Sequence, residues 1–82
     1  GSTFLNFRLP PVKSNTALLT IFNINMDRVQ SCELPVESAQ FEPLIRWDGR
    51  DENGNIISSG IYIYVISVDG KNYTGKFAVL QE

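Results

Sequence analysis

Apolar and polar residues alternate with a period of two along most of this chain, and the pattern is clearest in its last third. There Gly60-Ile61-Tyr62-Ile63-Tyr64-Val65-Ile66-Ser67-Val68 and the return run 71–80 flank Asp69-Gly70. That pair suits a two-residue type I′ turn, in which both central residues take positive φ. A strict two-residue loop makes Ile66 face Tyr73, Tyr64 face Gly75 and Tyr62 face Phe77. The side carrying Tyr62, Tyr64, Ile66, Val68, Phe77 and Val79 is then the expected core side.

Upstream, Leu5, Phe7 and Leu9 share one face of a first strand that Pro10-Pro11 stops, with Phe4 turned the other way. Residues 16–23 form a second strand, with Ala17, Leu19 and Ile21 on one side and Leu18, Thr20 and Phe22 on the other. Asn25-Met26-Asp27 reads as a hairpin turn and 28–34 as the returning strand. Within that strand Val29 and Cys32 fall on opposite faces unless a bulge intervenes. Residues 35–40 read as a loop. Phe41, Pro43, Ile45 and Trp47 share one parity and predict a strand that delivers the single tryptophan to the core. Asn53-Gly54 reads as another tight turn, and Asn55-Ile56-Ile57-Ser58 as a brief strand after it.

No segment carries a helical period. Short strands separated by turn signals predict an all-β fold: an immunoglobulin-like or fibronectin-III-like antiparallel β-sandwich of about seven strands. A chain of 82 residues supports a single domain with one hydrophobic centre, here residues 3–82. Gly1-Ser2 has the form of a scar left by cleavage of an expression tag and is set aside.

Seven basic and nine acidic residues leave a net charge of −2, and no window gathers Lys and Arg. Nucleic acid and membrane insertion are therefore not expected. The chain has no histidine and a single cysteine, Cys32, which excludes an internal disulfide, His-based acid-base chemistry and Cys/His zinc sites. Its neighbour Glu33 would raise the thiol pKa, so Cys32 reads as a small half-buried strand residue.

Asp48, Asp51, Glu52, Asn53 and Asn55 are the densest oxygen donors in the chain. With Gly54 taken as the glycine of an EF-hand loop, Asp51 and Asn53 fit, but Gly49 and Gly60 stand where carboxylate ligands belong. The same residues are explained by turn hydrogen bonds, so no metal or cofactor is expected. All three carboxylates lie on one turn with no second wall to form a cleft, so no catalytic residue is assigned.

The hairpin's other face carries Ile61, Ile63, Val65, Thr74, Lys76 and Ala78, to which Leu18 and Phe22 would add if they share that side. Such a face reads either as high β-propensity on a partly exposed sheet or as a docking surface. The candidate interaction face is Leu18, Phe22, Ile61, Ile63, Val65 and Thr74.

The pattern Trp47-Asp48-Gly49, Asp51, Gly54, then Gly60-Ile61-Tyr62 and Tyr64, ending in Lys76-Phe77-Ala78-Val79-Leu80, resembles the FlgD-type Ig-like domain of flagellar hook-capping proteins. It is similar also to C-terminal sorting and anchoring modules of secreted bacterial proteins. Leu5, Phe7, Leu9-Pro10, Leu19-Thr20-Ile21-Phe22-Asn23 and Arg28-Val29 extend the likeness over nearly the whole chain. It departs at Met26, where that family has a turn glycine, and at Ala39-Gln40, which replace a glycine. The resemblance implies an Ig-like sandwich without catalysis, at the C-terminal end of a larger bacterial protein and located outside the cell or on its surface. Its partners would be neighbouring domains or the secretion and cell-surface machinery. Two alternatives are a carbohydrate-binding module appended to a secreted hydrolase, with Tyr73 and Phe41 as candidate polysaccharide platforms, and a hook-cap assembly domain. In this pattern Trp47 would fill the inter-sheet space, Gly49 and Gly54 shape the turn, and Gly60 permit close entry into the tyrosine strand.

Overall fold

A computed structural model of the chain describes residues 4–39 and 42–80. Its strands are β1 (Leu5–Arg8), β2 (Thr16–Asn23), β3 (Arg28–Pro35), β4 (Glu37–Ala39), β5 (Glu42–Trp47), β6 (Gly60–Val68) and β7 (Lys71–Val79). They make two antiparallel sheets, ordered β1-β5-β4 and β3-β2-β6-β7, and among the described residues there is no helix.

The alternation of the sequence becomes the core between the sheets. Phe7, Ile45 and Trp47 enter from the narrower sheet and Ala17, Leu19, Ile21, Tyr62, Ile66 and Val68 from the wider one, all buried. Covering a side chain of this size contributes about 1.5–3 kcal/mol. Leu19, Ile21 and Ile45 are fully buried, which puts the strongest term at the centre of β2 and β5. An aromatic cluster joins the sheets: Phe7 lies 5.0 Å from Tyr64 and meets Phe77 edge-on, Trp47 meets Phe77 edge-on at 6.3 Å, and Tyr62 stacks on Phe77.

The β6–β7 hairpin has the expected register from Gly60↔Val79 to Val68↔Lys71, with Asp69 at φ 53° and Gly70 at φ 74°. Between β2 and β3 the pairing slips after Ile21↔Gln30 to Phe22↔Arg28, so Val29 is the extra residue of a bulge. That slip lets both Val29 and Cys32 pack against the core.

Six of the seven expected strands form. The brief strand over 55–58 does not: its only pairing there is an isolated bridge between Arg50 and Ile56, while Ile57 alone turns into the core. The stretch read as a loop instead contains β4, where Glu37, Ser38 and Ala39 pair with Leu44, Pro43 and Glu42. An edge strand needs only main-chain partners, so its side chains carried no alternation to read. Phe41 and Gln40 lie outside the described residues.

Candidate functional site

Register places the expected interaction face on one surface, the outer side of β2-β6-β7. Phe22 faces Ile63, which faces Lys76; Thr20 faces Val65, which faces Thr74; Ile61 faces Ala78. Leu18 sits opposite Ser67 at the far end. Ile61 is 53% exposed and Leu18 41%, Thr74 is exposed, and Phe22, Ile63 and Val65 are half-buried by their neighbours. Apolar side chains of β2 and β6 thus share one surface, interrupted by Thr20 and bordered on β7 by Thr74 and Lys76, and an exposed apolar patch of this kind suits a docking surface.

Two exposed apolar residues lie outside the expected face: Met26, from the expected turn, and Ile24, to which the sequence reading gave no element. Ile24 and Met26, at the tip of the β2–β3 hairpin, are 69% and 59% exposed. The tip is held by Asn23, whose Oδ1 accepts from the amides of Asn25 and Asp27 at 2.9 and 3.0 Å. Met26 there adopts φ 66°, a left-handed conformation in which glycine is at ease, so the departure from the family pattern falls on a position with a glycine's geometry.

The acidic loop is built for tethering. Asp51 Oδ1 accepts from the amides of Asn53 and Asn55, and Asp48 Oδ1 from that of Arg50. Gly49 and Gly54 take φ 73° and 85°. The bulge in β3 turns the Val29 carbonyl outward, where the Glu52 amide meets it at 3.1 Å. Arg28 pairs with Glu52 at 2.7 Å, and Gln30 donates to the Arg50 carbonyl. These side chains are thus committed to fixing the loop on β3.

Of the remaining motif residues, Trp47 is sealed between the sheets, and its Nε1–H finds no acceptor among the described residues. The Tyr62 hydroxyl donates to the Ser58 carbonyl at 2.7 Å. Gly60 does not do what was expected of it. A Cβ there would make only ordinary contact with the Tyr62 ring, and its φ is not positive. The glycine with a close neighbour is Gly75, where a Cβ would overlap the Tyr64 ring lying across β7 and that ring would have to move.

Cys32 lines an open cleft of about 360 Å³ together with Leu34, Trp47, Asp48 and Arg46. Burial, and secondarily the Asp48 charge, push its thiol pKa up, so it stays protonated at neutral pH and is a poor nucleophile. Tyr73 is half-buried against the core. A scan of protein-family models and searches of curated proteins and of solved structures find no match to this chain.

Proposed function

We propose that the chain is a non-catalytic Ig-like module that packs through the outer face of β2-β6-β7 against a neighbouring domain or partner of an exported bacterial protein. The observation that carries this reading is the strip formed by Phe22, Ile61, Ile63 and Val65, apolar side chains held on the solvent side of a sheet whose other side already supplies the core. The Ig-like assignment is supported by strand order. With β1, β4 and β5 standing for strands B, D and E, and β3, β2, β6 and β7 for C′, C, F and G, the two sheets have the order of an immunoglobulin sandwich. Tyr62 adds to it, since a tyrosine at the start of strand F whose hydroxyl bonds to a carbonyl just upstream is the tyrosine corner of such sandwiches. The FlgD-type motif fits the same reading, with its tryptophan in the core and two of its glycines at positive φ.

The test compares Ile63→Lys with the unaltered chain, each alone and within the parent protein. Alone, the variant should unfold within about 0.5 kcal/mol of the unaltered module. In the parent, docking should raise the module's Tm, and Ile63→Lys should remove that increment. An increment that survives the lysine would reject this face as the contact.

A further inference from the structure

Three turns put a glycine directly after an aspartate or asparagine: Asp48-Gly49, Asn53-Gly54 and Asp69-Gly70. With no Cβ in the way, the glycine nitrogen can close on the side-chain carbonyl carbon of the residue before it, forming a five-membered ring that proximity favours. At the other six asparagines a larger residue follows and crowds that nitrogen.

Two of the three pairs are locked. The Asp69 carboxylate accepts from the Lys13 amide, the Ser14 amide and the Ser14 hydroxyl, so turning back towards Gly70 means giving up all three. The same bonds keep it ionised, with a poor leaving group on its carbon. Asp48 Oδ1 is bonded to the Arg50 amide, and Gly49 is buried. Asn53 is held differently. It and Gly54 are both exposed, nothing lies within 4 Å of the place a Gly54 Cβ would take, and among the described residues no hydrogen bond holds the Asn53 carboxamide. Only the bond from the Gly54 amide to the Asp51 carbonyl, 3.0 Å long in an open turn, has to be released before the nitrogen can attack.

We infer that Asn53 is a site of spontaneous covalent modification, deamidation to aspartate and isoaspartate, and that the folded chain leaves it reactive while shielding Asp48 and Asp69. The Gly54 nitrogen gives its proton to hydroxide and bonds to Asn53 Cγ, whose bond to the side-chain nitrogen breaks, and ammonia leaves with a proton from water. Water then opens the succinimide at one of its two C–N bonds. Opening at Cγ gives aspartate; opening at the main-chain carbonyl gives isoaspartate, with the chain running through Cβ. Either product adds a negative charge to a turn that already holds Asp48, Asp51 and Glu52. The isoaspartyl product also lengthens the main chain inside the span that Asp51 Oδ1 closes by bonding the Asn53 and Asn55 amides. That turn presents Glu52 to the Val29 carbonyl and to Arg28, so its distortion loosens the loop from β3. Neither the site nor its chemistry involves the outer face of β2-β6-β7.

The test incubates the 82-residue chain at neutral pH, folded and in urea, separates the charge variants, and locates isoaspartate by peptide mapping and by labelling with an isoaspartyl methyltransferase. Both Asn53 and Asp69 should convert in urea. Folding should slow Asp69 about ten-fold or more and Asn53 less than about three-fold. Asn53→Gln, which could react only through a six-membered ring, should remove the acidic species from the folded chain. The separated isoaspartyl form should exchange its Glu52 and Asn55 amides about ten-fold faster than the unmodified chain, and the aspartyl form, whose main chain is unchanged, should not. Folding that protects Asn53 as strongly as Asp69 would overturn the proposal. So would acidic species that persist in Asn53→Gln, or an isoaspartyl form whose Glu52 and Asn55 amides stay as slow as before.

Discussion

Leu18 and Leu19 are neighbours on β2 with identical side chains, yet Leu19 is fully buried and Leu18 is 41% exposed. The contrast runs along the whole four-stranded sheet. Ile21, Tyr62 and Ile66 on the inner side are closed over by the other sheet, whereas Phe22, Ile61 and Ile63 on the outer side shelter only one another. Along β6 and the middle of β2 both faces carry large apolar residues, although the outer face also holds Thr20, Ser67, Thr74 and Lys76. What differs is that one has a second layer above it, so the same residue type contributes to folding on one side and is available for contact on the other.

Leu19→Ala should show the largest effect, a loss of about 2–5 kcal/mol in denaturant unfolding, because the cavity it opens lies at the centre of the core. Leu18→Ala should stay below about 1 kcal/mol; equal losses would erase the distinction between the faces. Gly75→Ala probes the inner side at its thin margin. It should lose about 1–3 kcal/mol as the Tyr64 ring is displaced, and the ring's nuclear Overhauser contacts to Phe7 should weaken.

A smaller effect concerns the turn that sets which face is which. The Ser14 hydroxyl, then the Lys13 amide, bond to the Asp69 carboxylate and hold its pKa below the ordinary carboxylate value. A group with a depressed folded pKa contributes stability above its unfolded pKa and loses it as pH falls through the folded one. Acid titration of Asp69→Asn should therefore show a flatter low-pH decline than the unaltered chain, the two differing most at neutral and alkaline pH and converging as pH falls through the folded pKa. Met26→Gly should have the smallest effect, a gain of about 0.5 kcal/mol from relief of the left-handed backbone. A loss instead would mean that the Met26 side chain packs with the outer strip.

The β6–β7 hairpin was legible to the residue because Asp-Gly admits one turn geometry and period-two patterning admits one register. The bulge was legible as a conflict, two core residues on opposite faces of one strand, though not its position at Val29. Other features depend on distant partners and leave no local trace. Glu37-Ser38-Ala39 becomes a strand only because β5 offers an edge, and Ile57 enters the core without any alternation around it. The Asp69 carboxylate caps a loop more than fifty residues upstream, so its second role was invisible beside its turn signal. For the contact face, the candidate residues could be named from parity, but that Leu18 and Phe22 join the hairpin's outer side depended on β2 pairing with β6. Met26 was hidden because turn residues are read for backbone geometry and their side chains are not weighed, and Ile24 because it falls between the second strand and the turn.

One indole in the whole chain, shut between two layers and edge-on to Phe77, has a practical consequence. Its fluorescence is a built-in gauge of layer separation: emission should be blue while the layers are closed and shift to the red when they part, with no dye or label. Every variant named above can be ranked by that single optical signal.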